Sequence, residues 1–450
     1  MTDPFHWLMG TRLQVPTKLV PVDVLFGVAA LSVLLPALRT GLSSRSGWRR
    51  TGLRAAVTAG GAVLGYLACW VVGDLLNAFD VVLTDVTRMW VALAFAGVAL
   101  AVTGIVQGGR GRRVLAAVLV PLALLAPALG INVDYAAYPT LNALVQTDPF
   151  PPLDLGSESG VETVAATPAP APAWTPPVGM PAVGRIGTVR IPGTRSGFPA
   201  RPAVVYLPPA ALTADPPTLP VIVSLSGQPG SPSDMFTAGG IAGVLDQYAA
   251  AHHGIAPIVV SADQLAVPGH NTMCVDSMIG NAATYITQDV PAWVTSHLRV
   301  TDDHRGWGLV GFSQGATCAT QFLSGYPDRF GAALAVSSEL APVDRSPQNS
   351  ADEAFGGSLA RWRAAAPSAL MAANAPFTDK SLWLTAGSTD HAFTASAQRI
   401  GKAAERAGIH TTVAFAPGSG HDWNTVHWSL VQELPREADL LLTAPGSARG

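Results

Sequence analysis

Residues Gly311–Gly315 read Gly-Phe-Ser-Gln-Gly, a G-x-S-x-G run. A short apolar stretch, Gly306–Val310, comes before it and a helix-forming one, Ala-Thr-Cys-Ala-Thr-Gln-Phe-Leu, comes after it. A serine between a buried strand and a helix sits on a turn so tight that its flanking residues must be small. Its Oγ is then presented at the carboxyl edge of a sheet. The chemistry open to Ser313 is attack on an acyl carbon with a covalent intermediate. A serine hydroxyl needs help for this: a base, an acid to orient the base, and donors aimed at the developing oxyanion.

The elbow arrangement places those partners later in the chain, in the order nucleophile, acid, histidine. After the run Leu382–Thr385 comes Ala-Gly-Ser-Thr-Asp-His, which offers Asp390. After Thr411–Ala416 comes Pro-Gly-Ser-Gly-His-Asp-Trp, which offers His421. In this assignment His421 takes the proton of Ser313, and Asp390 holds the imidazole tautomer and stabilises the imidazolium. Glu339 and Asp422 are alternative acids. A lone loop histidine is most often only solvated, so position and order single out His421. One oxyanion donor would be the backbone N–H of Gln314, next after the nucleophile. The other would come from the turn Leu225–Gly230, Leu-Ser-Gly-Gln-Pro-Gly, through the N–H of Gln228, unless that segment is merely a turn. No zinc-type spacing of Cys and His occurs, and the reading needs neither a metal nor a cofactor.

These residues need a scaffold, and the second half of the chain supplies one. Strand candidates are Arg185–Ile191, Ala203–Leu207, Val221–Leu225, Pro257–Ser261, Gly306–Val310, Ala332–Val336, Leu382–Thr385 and Thr411–Ala416. Helical patterns lie between them, clearest over Asn281–Leu298 and Ser396–Ala407. Two early strands followed by β-α alternation indicate a mostly parallel eight-stranded sheet with helices on both faces, the α/β-hydrolase layout. This domain is expected to cover 184–450, with an insertion at about 339–380 that could form a partly helical cap. A cap rich in Ala, with Met371 and Trp362, could take an acyl chain, although a folded insertion needs the same residues to pack.

The first third is of another kind. Of the 450 residues 49% are hydrophobic and only 13% charged, too few charges for a wholly water-exposed surface. Four apolar segments, Pro21–Leu38, Ala55–Asn77, Met89–Gln107 and Val114–Val133, approach or exceed the length of a membrane span. Residues 1–135 are therefore expected to form a four-helix transmembrane anchor. Arg39, Arg45, Arg49, Arg50 and Arg54 lie between the first two spans, and Arg110, Arg112 and Arg113 between the last two. The middle loop carries Asp80 and Asp85 against Arg88. Positive loops stay in the cytoplasm, which puts both termini outside and exports everything after residue 135. Asp74, near the outer end of the second span, is a functional candidate or a carboxylate that reaches water. Residues 136–183, rich in Pro, Ala and Thr, read as a tether to the outer membrane surface. A net charge of −3 with no basic stripe outside the span-flanking clusters gives no case for nucleic acid.

The chain resembles the putative-esterase (esterase D-like) family of α/β-hydrolases, to which the mycobacterial mycolyltransferases belong. The resemblance covers about residues 184–435. It rests on Gly311–Gly315, on Tyr-Pro-Asp-Arg-Phe-Gly-Ala-Ala-Leu-Ala-Val-Ser-Ser (Tyr326–Ser338) and on Gly-His-Asp-Trp-Asn-Thr-Val-His-Trp (Gly420–Trp428). The anchor, Leu225–Gly230 and Met273–Trp293 are similar to a group of actinobacterial membrane-bound esterases, some regarded as aminoacyl-phosphatidylglycerol hydrolases. The family's triad falls on Ser313, Asp390 and His421. Ala316 stands where many members have another small residue, and Asp390 where the mycolyltransferases usually have Glu, which sets the chain apart from them.

Of three cysteines, Cys69 lies in an apolar span. Cys274 follows the fourth strand and Cys318 lies one turn into the helix after the nucleophile. If strands four and five are neighbours, the two can meet in a disulfide, permitted outside the cytosol; the alternative is two buried thiols. The leading expectation is hydrolysis of an ester in an envelope lipid or lipid conjugate, so the partners are membrane lipids and a small-molecule or lipid ester. Acyl transfer to a sugar or lipid alcohol uses the same intermediate, and a non-catalytic membrane scaffold is the third reading.

Overall fold

A computed structural model describes residues 8–35, 45–76, 82–145, 149–155 and 174–444. Two compact units emerge, Met1–Val145 and Gln146–Gly450. Arg39, Asp80 and residues 156–173 of the expected tether lie outside the described residues.

The first unit contains α1 (Pro16–Leu34), α2 (Arg45–Cys69, continued by a π-turn over Trp70–Leu75), α3 (Asp85–Gln107) and α4 (Arg110–Tyr135). All four helices are long and apolar enough to cross a membrane. Leu25, Val63, Leu64, Val102 and Val118 point outward and are exposed, as suits a lipid-facing surface. Inside, glycines let backbones approach. A Cβ at Gly61 would stand 2.8 Å from Phe95 O, and one at Gly65 2.9 Å from Val91 O. Asp74 is held by both Nη atoms of Arg88 at 2.7 and 2.8 Å. Its charge is therefore balanced within the helices, as a carboxylate inside a membrane would require.

The second unit is built on one eight-stranded sheet. Its strands are β1 (Arg185–Val189), β2 (Ala203–Leu207), β3 (Val221–Leu225), β4 (Ile258–Ser261), β5 (Trp307–Phe312), β6 (Ala332–Val336), β7 (Ser381–Gly387) and β8 (His410–Ala416). They lie in the order β1-β2-β4-β3-β5-β6-β7-β8. β2 is antiparallel to β1 and β4, and the remaining pairs are parallel. The strands from β2 to β7 are buried along their whole length, because helices cover both faces. On one face α6 (Val290–His297), α7 (Gln314–Gly325), α10 (Pro367–Asn374) and α11 (His391–Ala407) contribute to the core. On the other, α5 (Ile241–Ala251) and α12 (Trp423–Leu442) do. The chain is thus a four-helix apolar module followed by an α/β-hydrolase domain.

Three expectations change. First, the second unit begins well before residue 184. Leu153 N–H donates to Thr188 O and Thr188 N–H to Pro151 O, both at 2.8 Å. Leu153, Leu155 and Trp174 also pack on the core. An open strand edge at β1 leaves polar backbone groups that this segment satisfies. Second, the insertion is only partly available as a cap. It forms α8 (Pro347–Ala354), α9 (Leu359–Ala364) and α10, but α10 packs on α7 and α11, and Met371 is fully buried in the core. Trp362 donates its indole N–H to Pro342 O at 2.7 Å. Third, β4 and β5 are not neighbours, because β3 lies between them. Cys274 and Cys318 are nevertheless disulfide-bonded, since the long segment after β4 returns to α7.

Candidate active site

Ser313 has φ 55° and ψ −118°, outside the regions a serine ordinarily occupies. Its N–H is held by Val336 O at 2.8 Å, on the neighbouring strand. The two elbow glycines are required by contact. A Cβ on Gly311 would lie 2.1 Å from Gly315 O, and one on Gly315 would lie 2.4 Å from the carbonyl oxygens of Leu225 and Ser226. The turn is compressed against the end of β3, and only this compression aims the serine away from the sheet.

His421 Nε2 stands 2.9 Å from Ser313 Oγ. Its Nδ1 stands 3.3 Å from Asp390 Oδ2, within ion-pair range but without hydrogen-bond alignment, and such contacts tighten when substrate binds. With Nδ1 protonated toward the carboxylate, Nε2 is left to accept from the serine hydroxyl. Asp390 follows β7 and His421 follows β8, so both project from the edge that presents Ser313. Asp390 also caps α11 through Phe393 N–H at 3.3 Å, which fixes its main chain. The other two acids have work elsewhere. Asp422 accepts from Ser419 Oγ, Gly420 N–H and Thr425 N–H at 2.7–2.9 Å, thereby shaping the loop that carries His421. Glu339 accepts from Thr317 Oγ1 on α7 at 3.3 Å.

The imidazole lies between two rings, Phe312 at 5.0 Å and Phe393 at 4.3 Å between centroids. Trp423 packs on Phe312 at 5.1 Å. These walls limit water around the base and were not anticipated from sequence. Each lies within three residues of a site residue in the chain, yet an aromatic at such a position is equally a core residue.

Gln314 is the first residue of α7, so its N–H has no acceptor within the helix and faces outward with the positive end of the helix dipole. The turn after β3 passes beside Ser313: a Cβ on Gly227 would be 3.5 Å from Ser313 Cβ and 3.2 Å from the Phe312 ring. That brings the Gly227–Gln228 backbone to the same place. The Gln228 side chain is turned to Gly269 O at 3.0 Å. Among the described residues no group of three or more His, Cys, Asp or Glu could hold a metal ion.

An eight-stranded hydrolase sheet with a serine on its elbow defines the class: a serine hydrolase of the α/β-hydrolase fold that cleaves ester bonds. The chain belongs to the family described as "Putative esterase", whose model matches residues 200–436. It is 32% identical over 333 residues to an uncharacterized protein of Corynebacterium glutamicum, covering 70% of this chain and 75% of that one. Among solved structures it is similar to an S-formylglutathione hydrolase from Agrobacterium tumefaciens, at 19% identity and TM-score 0.49, over 58% of this chain and 97% of that one. It is also similar to MPT51 of Mycobacterium tuberculosis, at 19% identity and TM-score 0.41, over 57% and 97% of the two chains.

Proposed function

We propose that this chain is a membrane-anchored serine esterase acting on an envelope lipid or lipid conjugate, with Ser313, His421 and Asp390 as its catalytic residues. The observation that carries this is the line from Asp390 Oδ2 through the imidazole to Ser313 Oγ, at 3.3 and 2.9 Å, on a strained elbow. Ser313 Oγ attacks the ester carbonyl carbon while its proton passes to His421 Nε2. The N–H groups of Gln314 and Gln228 receive the oxyanion. Collapse expels the alcohol, which takes the proton from His421, and leaves the acyl group on Ser313. Water, deprotonated by the same histidine, then releases the acid and restores the hydroxyl.

Support for a lipid substrate comes from the first unit. Its four apolar helices would hold the hydrolase domain at a bilayer, with the Arg-rich ends of α2 and α4 cytoplasmic and the domain outside. That unit also carries an open apolar groove lined by residues including Cys69, Val72, Val91 and Ile131. The resemblance to membrane-bound esterases makes aminoacyl-phosphatidylglycerol one substrate of this class. Acyl transfer to a sugar or lipid alcohol proceeds through the same acyl-enzyme.

The test is turnover by the full chain in lipid vesicles containing an aminoacyl-phosphatidylglycerol, with and without added trehalose. Release of free amino acid, lost in Ser313→Ala, is the expected result. Acylated trehalose in place of hydrolysis would favour the transferase, and fluorophosphonate labelling that persists in Ser313→Ala would overturn the site.

A further inference from the structure

The two candidate oxyanion donors come from segments far apart in the chain, the turn at 226–228 and the start of α7. We propose that Gln264, in the loop after β4, is a positioning residue that holds both at once. This inference rests on the assignment of Gln314 and Gln228 as oxyanion donors.

Gln264 is fully buried. Its Nε2 donates to Ser226 O at 2.7 Å and to Gln314 Oε1 at 3.0 Å. One amide group therefore spans the peptide next to the Gly227–Gln228 donor and the side chain of the residue that supplies the other donor. The orientation of the amide is settled by its partners. Ser226 O is a carbonyl and can only accept, so the nitrogen of Gln264 must face it.

Gln314 is fixed from its other end as well, since its Nε2 donates to Asn271 Oδ1 at 3.1 Å. Asn271 in turn donates to Val343 O at 2.9 Å, at the start of the insertion. Gln314 and Asn271 are each 4% exposed. The Gln314 side chain is thus turned into the protein, while its N–H is left for the site. Thr272 Oγ1 closes the loop on itself by donating to Gln264 O at 2.7 Å. Two residues on, Cys274 bonds that loop to α7 at Cys318.

Such a brace has a physical purpose. Oxyanion donors lower the barrier only if they are already in place when charge develops, so that no reorganisation is needed. The turn Gly227-Gln-Pro-Gly230 carries two glycines, whose wide choice of backbone angles would let it relax once a contact is removed. Without Gln264, the Ser226 carbonyl and the Gln314 amide oxygen would share a buried space without a donor, and both segments would shift to find one.

Gln264→Met keeps the length of the side chain and removes the donor. In the full chain, kcat for p-nitrophenyl butyrate should fall about 10- to 100-fold, below the loss of about 10²–10³ for deleting a donor outright. KM should stay within about twofold, because ground-state binding does not use the hole. Gln314→Met, which retains the N–H but loses the side-chain contact, should fall similarly. The double variant should show less than the product of the two losses, since both cut one connection. The proposal is overturned if folded Gln264→Met keeps wild-type kcat, if its loss appears in KM alone, or if the two losses multiply. Should Gln264→Met fail to fold, Gln314→Met with unchanged kcat overturns it equally. Wild-type turnover in Ser313→Ala would instead refute the site assignment, whatever Gln264 does.

Discussion

Three carboxylates compete for the role of orienting acid, and their surroundings divide the work among them. Asp390 Oδ2 faces His421 Nδ1, whereas Asp422 is engaged by two backbone N–H groups and a hydroxyl. Asp390→Asn should therefore retain the fold and lose roughly 10⁴ in kcat, the size of the effect when an orienting aspartate is replaced in serine proteases. Asp422→Asn should act differently, lowering the melting temperature through a weakened helix cap while leaving a smaller deficit in kcat. Measuring kcat and melting temperature for both variants separates the roles. A collapse of kcat in Asp422→Asn with Asp390→Asn near wild type would reverse them. At this scale the serine, the histidine and the order of the partners were readable in the chain, because the elbow and the two loops each follow a strand. The choice of Asp390 over Glu339 and Asp422 rested on chain order alone, since all three residues lie in polar loops and their distances to the imidazole are set only by the fold.

Helices and strands set these loops, and two features of the elements can be tested. The Cys274–Cys318 bond closes a loop across a sequence separation of 44 residues and joins the segment after β4 to α7, the helix that follows Ser313. Replacing both cysteines by alanine should lower stability by about 2–5 kcal/mol, read as an earlier denaturation midpoint, and an unchanged midpoint would make the bond incidental. The second feature is Glu437 on α12, completely buried beneath β5 where Gly308 leaves it room. Burial pushes its pKa well above the ordinary glutamate range. A carboxyl whose pKa is raised on folding contributes stability that is full below its unfolded pKa. That stability is lost as pH rises through the folded value. Glu437→Gln cannot ionise, so its melting temperature relative to wild type should climb as pH rises from about 4.5. A difference that stays flat with pH would show that the carboxyl is paired. The helix after Ser313 was visible as a helix-forming run, whereas α12 was not read from the sequence, and only its packing under Gly308 makes the position of Glu437 buried.

Across the whole molecule the chain joins an apolar helical module to a hydrolase domain, and its proposed sidedness follows from arginine placement. A cysteine introduced at Thr175 should react with an impermeant maleimide on intact cells, and one at Gly109 should react only after permeabilisation. Labelling of position 109 from outside would invert the topology. Composition and apolar run length were sufficient to find the four helices, because a span must satisfy its backbone internally over a set length. Strand-helix alternation around G-x-S-x-G was likewise sufficient for the hydrolase domain and for placing Ser313 and His421 in loops at one edge of its sheet. What required tertiary structure were contacts between segments with no common local pattern. The aromatic walls of His421, the Arg88 partner of Asp74, the core position of Met371 and the attachment of residues 151–153 to β1 are of this kind. So is the cysteine pair, which meets although β4 and β5 are not neighbours. Local sequence records the period of an element and the tightness of a turn, whereas the partner of a side chain depends on which distant segment the sheet order brings beside it.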